Sequence, residues 1–161
     1  YLRKKEEYIM KLAEALSLRA DLQKRLAQLK VRLVNNAKVQ EGELPSEAPE
    51  DLLTELDEGI LLLEKLIRNI NRTNCSTVVD GVSLTDMIAK RDALALKNSI
   101  LQDFVKCASE KFERYSSSEI RIKSTVNVSQ MQKETDRISK EMRELDVKIQ
   151  GLNWTTELIE D

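Results

Sequence analysis

Apolar residues recur at alternating steps of three and four along four separate stretches of this chain, a spacing that confines it to helices packing along seams. Leu12, Ala15, Arg19, Leu22, Leu26, Leu29 and Leu33 carry the pattern first, within a helix expected from near Leu2 to about Val39. Leu53, Leu56, Ile60, Leu63, Ile67 and Ile70 form a second seam, which Leu52, Leu62 and Leu66 widen toward burial on more than one side. A third stripe runs through Leu84, Met87, Arg91, Leu94, Asn98, Leu101, Val105 and Ala108, in a helix expected to reach about Tyr115. The last seam is Met131, Thr135, Ile138, Met142, Leu145, Ile149 and Leu152, with Ser129 as its cap.

The breaks between these seams are equally readable. Gly42, Pro45 and Pro49 forbid regular helix after the first seam, and Pro49 suits the first turn of the next helix, with Glu50 and Asp51 at its positive end. Thr77-Val78-Val79, Asp80-Gly81 and Val82 read as a tiny hairpin, because Asp-Gly accepts the positive φ of a type I′ turn. Ser83 with Asp86 then starts a helix. From Glu119 to Val128 the period changes: Ile120, Ile122, Val126 and Val128 alternate with polar residues, which predicts a half-buried strand beside the hairpin. The expected fold is mainly α: an elongated antiparallel helical bundle or coiled coil of four helices, with a small β-hairpin plus one strand at one end.

The composition supports such a scaffold and offers little chemistry. Of 161 residues, 34% are charged and only 4% aromatic, a balance typical of long helices. There is no histidine, so the commonest catalytic base and metal ligand is missing. Cys75 and Cys107 lie far apart, form no CxxC pair and lack an activating imidazole; they read as reduced thiols. No P-loop or G-x-S-x-G pattern occurs, so no enzyme, metal or cofactor is expected. The longest apolar run, Ile60 to Leu63, is far below the ~20 residues of a membrane helix. With no apolar signal core near the start, a cytoplasmic location is expected. The sequons at Asn71, Asn74, Asn127 and Asn153 then read as turn and capping residues.

Charge is uneven along the chain. Residues 1–39 hold ten Lys/Arg against four Asp/Glu, whereas residues 40–64 hold nine Asp/Glu and no base. The acidic segment offers the basic helix a partner in the same molecule or a sister subunit, in competition with nucleic acid. Gln40-Glu41-Gly42-Glu43 with Glu47 and Glu50 lacks the order of a calcium loop and reads as a solvated connection. Trp154 reads as an anchor docking the tail onto the bundle.

Arg19 and Arg91 stand out because each falls on an apolar stripe with an acid nearby, Asp21 and Asp92 respectively. A buried arginine needs a partner, and a seam asparagine such as Asn98 sets register at a cost in stability. These five residues make either a polar layer that aligns helices or subunits, or an anion-binding or catalytic pocket between helices.

Met10 to Gln23, Val39 to Glu43, Ile70 to Asn74, Arg91-Asp92, Ser124 to Val128, Arg143 to Asp146 and Asn153-Trp154 together resemble the septicolysin-like family of small bacterial helical proteins. The resemblance covers residues 10–158. It implies a single helical domain over those residues, with residues 1–9 an added N-terminal extension and residues 159–161 an acidic tail. It also implies a homo-oligomeric ring, a hexamer being the suggested size, and its name suggests a pore-forming cytolysin. The residues themselves favour a non-enzymatic, self-assembling helical protein whose partner is itself, without nucleic acid or membrane. Pore formation and nucleic-acid binding through the basic first helix are the alternatives.

Overall fold

The computed structural model describes residues 9–110 and 122–160. The chain is mainly helical, with one two-stranded antiparallel hairpin. Its residues fall into two compact units: residues 1–84 with 151–161, and residues 85–150.

In the first unit, α1 spans Leu12–Asn35 and buries Leu12, Ala15, Leu22 and Leu29. It begins at Leu12 rather than near Leu2, residues 1–8 lying outside the described residues. The chain leading into it is extended because the tail claims its backbone: Leu12 N–H donates to Thr156 O at 2.9 Å, and Leu158 N–H to Met10 O at 2.8 Å. The Lys11 N–H donates to Glu14 Oε2 at 2.7 Å, which satisfies an orphan donor at the helix start. At the other end Asn36 Nδ2 donates to Arg32 O at 2.9 Å, closing the last turn short of the expected Val39.

Helix α2, Pro49–Ser76, has Pro49 in its first turn with Glu50 and Asp51. It runs antiparallel to α1, since Arg32 reaches Glu55 while Leu26 lies over Gly59. A Cβ at Gly59 would meet Leu26 Cδ2 at 2.8 Å, so the glycine lets the two helices approach. The buried face of α2 is Leu52, Leu66, Asn69, Ile70 and Thr73, whereas Leu53 and Ile60 of the expected seam are exposed. The sequons at Asn71 and Asn74 are therefore helical rather than turns.

The hairpin forms as its sequence predicts. Strands β1 (Val78–Val79) and β2 (Val82–Ser83) pair Val78 with Ser83 and Val79 with Val82. Asp80 at φ 55° and Gly81 at φ 78° supply the two left-handed positions of the turn. Leu84, fully buried, opens α3, which spans Leu84–Ser109.

The strand expected from Glu119 does not form among the described residues. Residues 119–121 lie outside the described residues, residues 122–127 are irregular, and Val128 already belongs to α4, Val128–Thr155. Local polar side chains take the backbone groups a ladder would need: Ser124 Oγ donates to Val126 O at 3.0 Å, and Asn127 Oδ1 accepts Gln130 N–H at 3.0 Å. Asn127, not Ser129, thus caps α4.

In the second unit, α3 and α4 run antiparallel. Lys90 Nζ meets Glu141 Oε1 at 2.8 Å, Ser139 Oγ donates to Asn98 Oδ1 at 2.8 Å, and Arg91 reaches Asp146. Met87, Val105, Ile138 and Ile149 are its buried apolar side chains.

After α4, the tail residue Leu158 is 6% exposed while Trp154 is 65% exposed. The anchor of the tail is therefore Leu158. Backbone pairing around the Lys11–Glu157 bridge turns Leu158 inward, whereas Trp154, still helical, faces solvent.

Candidate functional site

The five polar seam residues divide between the two units. In the first, Arg19 is half-buried on α1 and makes no ion pair among the described residues. Asp21 is exposed and pairs with Lys24 at 3.6 Å, one turn along the same helix, rather than with Arg19.

The second unit holds a tighter arrangement. Arg91 Nε and one terminal nitrogen donate to Asp92 Oδ1 at 2.9 and 2.7 Å, and its other terminal nitrogen lies 3.4 Å from Asp146 Oδ1. Its hydrogen bonds to Asp92, then Asp146, raise the Arg91 pKa against the opposing effect of desolvation. The two carboxylates neutralise the Arg91 guanidinium, and Arg143 lines the same open cavity of about 440 Å³ with Arg91 and Asp146. Asn98 is buried at 7% exposure, and its bond to Ser139 ties α3 to α4. The geometry is that of polar cross-links between helices.

A second forked ion-pair network lies in the first unit, around Arg32. Its Nε donates to both Glu47 carboxylate oxygens at 3.1 Å, one terminal nitrogen closes a fork onto Glu47, and the other reaches Glu55 at 3.0 Å. Glu47 N–H donates to Asn36 Oδ1 at 3.0 Å, so Asn36 and Arg32 together hold the connection against the end of α1. Glu47, one of the oxygen donors considered for a cation, is thus turned onto a guanidinium. The Arg32 hydrogen bonds hold the Glu47 carboxyl below its ordinary range, while Glu47, then Glu55, raise the Arg32 pKa. The only signal for this network in the sequence is a basic helix end followed by an acid-only segment, which does not select Arg32 among its neighbours.

A third feature is apolar. Ile60, Leu63 and Ile67 line an open groove of about 520 Å³ on α2, with Glu64, Arg68 and Asn71 at its edges. Cys75 and Cys107 are both exposed and form no disulfide.

Residues 19–158 match the model of a family of unknown function, DUF6847. The chain belongs to the DUF6847 family. Among solved structures it is similar to a functionally unknown conserved protein from Corynebacterium diphtheriae, with 42% identity. That alignment covers 94% of this chain and 100% of the other, with a TM-score of 0.87. No curated protein matches it.

These findings correct the resemblance to the septicolysin-like family: the family the chain matches is DUF6847, and the fold it matches is that of the Corynebacterium diphtheriae protein. The hexameric ring and the cytolysin expectation rested on that resemblance and lose its support. The motifs behind it, such as Arg91-Asp92 and Arg143-Glu144-Leu145-Asp146, are short charged segments of a kind that amphipathic helices produce independently. No helix among the described residues is long and apolar enough to cross a membrane.

Proposed function

We propose that this protein is a non-enzymatic helical scaffold that assembles with copies of itself. The observation that carries the reading is the apolar face left on α2. Leu53, Ile60 and Leu61 are 51%, 48% and 66% exposed, beside the groove between Ile60 and Ile67. A contiguous apolar surface bordered by charge favours a protein partner, and a second copy supplies matching helices at the same concentration.

The ionisable groups support a structural role. Glu47, Glu134 and Glu141 are held below their ordinary value by hydrogen bonds from Arg32, Arg137 and Lys90 respectively. Each shift favours the charged form, as structural pairing does, and moves away from the near-neutral values that suit a general acid or base. The basic N-terminal segment also has part of its charge paired within its own unit, with Lys11 on Glu157 and Arg32 on Glu47. That favours self-association over nucleic acid.

Light scattering coupled to size exclusion tests the reading. The expected mass at micromolar concentration is a multiple of the 18.5 kDa chain, and I60E with I67E should return it to one chain. A constant single-chain mass for the unaltered protein would end the proposal.

A further inference from the structure

We infer that the contact between copies is head to tail: the outer ridge of α1 on one copy seats in the α2 groove of the next. The inference rests on the self-association proposed above and specifies its geometry. At about 100° per residue, Ala20, Ala27, Val31 and Val34 fall within an arc of about 60° on α1. This arc lies away from the buried Leu22 and Leu29, and Val31 and Val34 are 57% and 66% exposed. Both alanines are exposed as well, and their small side chains leave room for another helix to approach.

The charges beside the two apolar surfaces are opposite. Lys24 and Lys30 flank the α1 ridge, and neither carboxylate of α1, Glu14 or Asp21, falls within its arc. Lys24 has only an exposed one-turn pairing with Asp21, and Lys30 has no ion pair among the described residues. Glu64 lines the α2 groove, and Asp57, two turns earlier, falls on the same side of the helix; both belong to the segment 40–64, which contains no base. Arg68 meets Glu64 at a loose 3.7 Å and is the one cation at the groove's edge. Pairing α2 with α2 would set acid largely against acid, and pairing α1 with α1 would set base against base. Joining α1 to α2 matches both apolar stripe and charge. Two different surfaces make a heterologous contact, which closes into a ring or extends as a chain of copies.

Charge reversal tests this. One variant carries K24E and K30E, the other D57K and E64K, with far-UV circular dichroism checking that each keeps its helix content. Sedimentation velocity should show each variant alone associating at least tenfold more weakly than the unaltered protein. An equimolar mixture should regain association, because the reversed α1 of one variant complements the reversed α2 of the other, and their two native faces complement each other. Should either variant lose helix, K24A with K30A and D57N with E64Q probe the same faces, and each should weaken association. An unaltered protein that assembles while both variants assemble equally well overturns the head-to-tail contact and leaves self-association standing. A mixture that stays apart also overturns it, whereas an unaltered protein that remains a single chain overturns both proposals.

Discussion

The Thr73 hydroxyl accepts the backbone N–H of Ile159 at 2.9 Å, joining residues 86 positions apart. The same hydroxyl donates to Asn69 O at 2.8 Å, and Thr73 is wholly buried. A helical threonine that bonds one turn back ordinarily does only that. Here its remaining lone pair holds the tail.

Replacing Thr73 by Val keeps the shape and removes the acceptor, leaving the Ile159 N–H without its partner. The expected loss is about 1–3 kcal/mol of stability, and Thr73→Ser should retain most of it. Urea denaturation gives the stability, and hydrogen exchange at the Ile159 amide should accelerate in Thr73→Val alone. Unchanged exchange there would remove the hydroxyl from its role in holding the tail.

Leu158 and Trp154 make a contrasting pair. Leu158→Ala opens a cavity at a site 6% exposed and should cost about 2–5 kcal/mol. Trp154→Ala, at a site 65% exposed, should stay within about 0.5 kcal/mol. Equal losses in thermal or urea unfolding would contradict the assignment of the anchor.

Acid should weaken the fold through its paired carboxylates. Glu47 has a folded pKa below its ordinary value of 4.5, so its contribution is complete above that value and is lost as pH falls through the lowered folded one. Glu134 and Glu141 shift in the same direction and add to the same limb. The urea midpoint should therefore fall between about pH 5 and pH 3. Glu47→Gln should flatten that fall, and Arg32→Lys should do so partly, because an ammonium keeps the charge and loses the fork. An identical acid limb in Glu47→Gln would show that the network adds no pH dependence.

Asn69 is 2% exposed, and its Oδ1 has no hydrogen-bond partner among the described residues. Burying an unpartnered carbonyl costs about 1–3 kcal/mol, so Asn69→Leu should be neutral or stabilising by up to about that amount. An unfolding free energy from urea denaturation lowered by more than about 1 kcal/mol would mean that Asn69 has a compensating partner, such as an internal water.

The helices and hairpin were legible because their signals are local. Pro49 fits only the first turn of a helix, and Asp80-Gly81 answers the positive φ of both turn positions. Leu52 and Leu66 were harder to separate from Leu53 and Ile60, because α2 is apolar on several sides and periodicity alone does not rank its faces. The strand expected through Ile122 and Val126 had the right alternation, yet Ser124 and Asn127 folded that backbone onto itself. Arg32 looked like any other helical arginine until the path of the connection brought Glu47 beside it.

By itself, the sequence determined where helices form and where they break, since turn chemistry and apolar period act over a few residues. Only the tertiary structure decided which apolar side chains are covered, that Arg32 gathers Glu47 and Glu55, and that Leu158 rather than Trp154 secures the tail. Those outcomes depend on contacts between residues far apart in the chain, such as Thr73 with Ile159, and on how backbone groups at a distance satisfy one another.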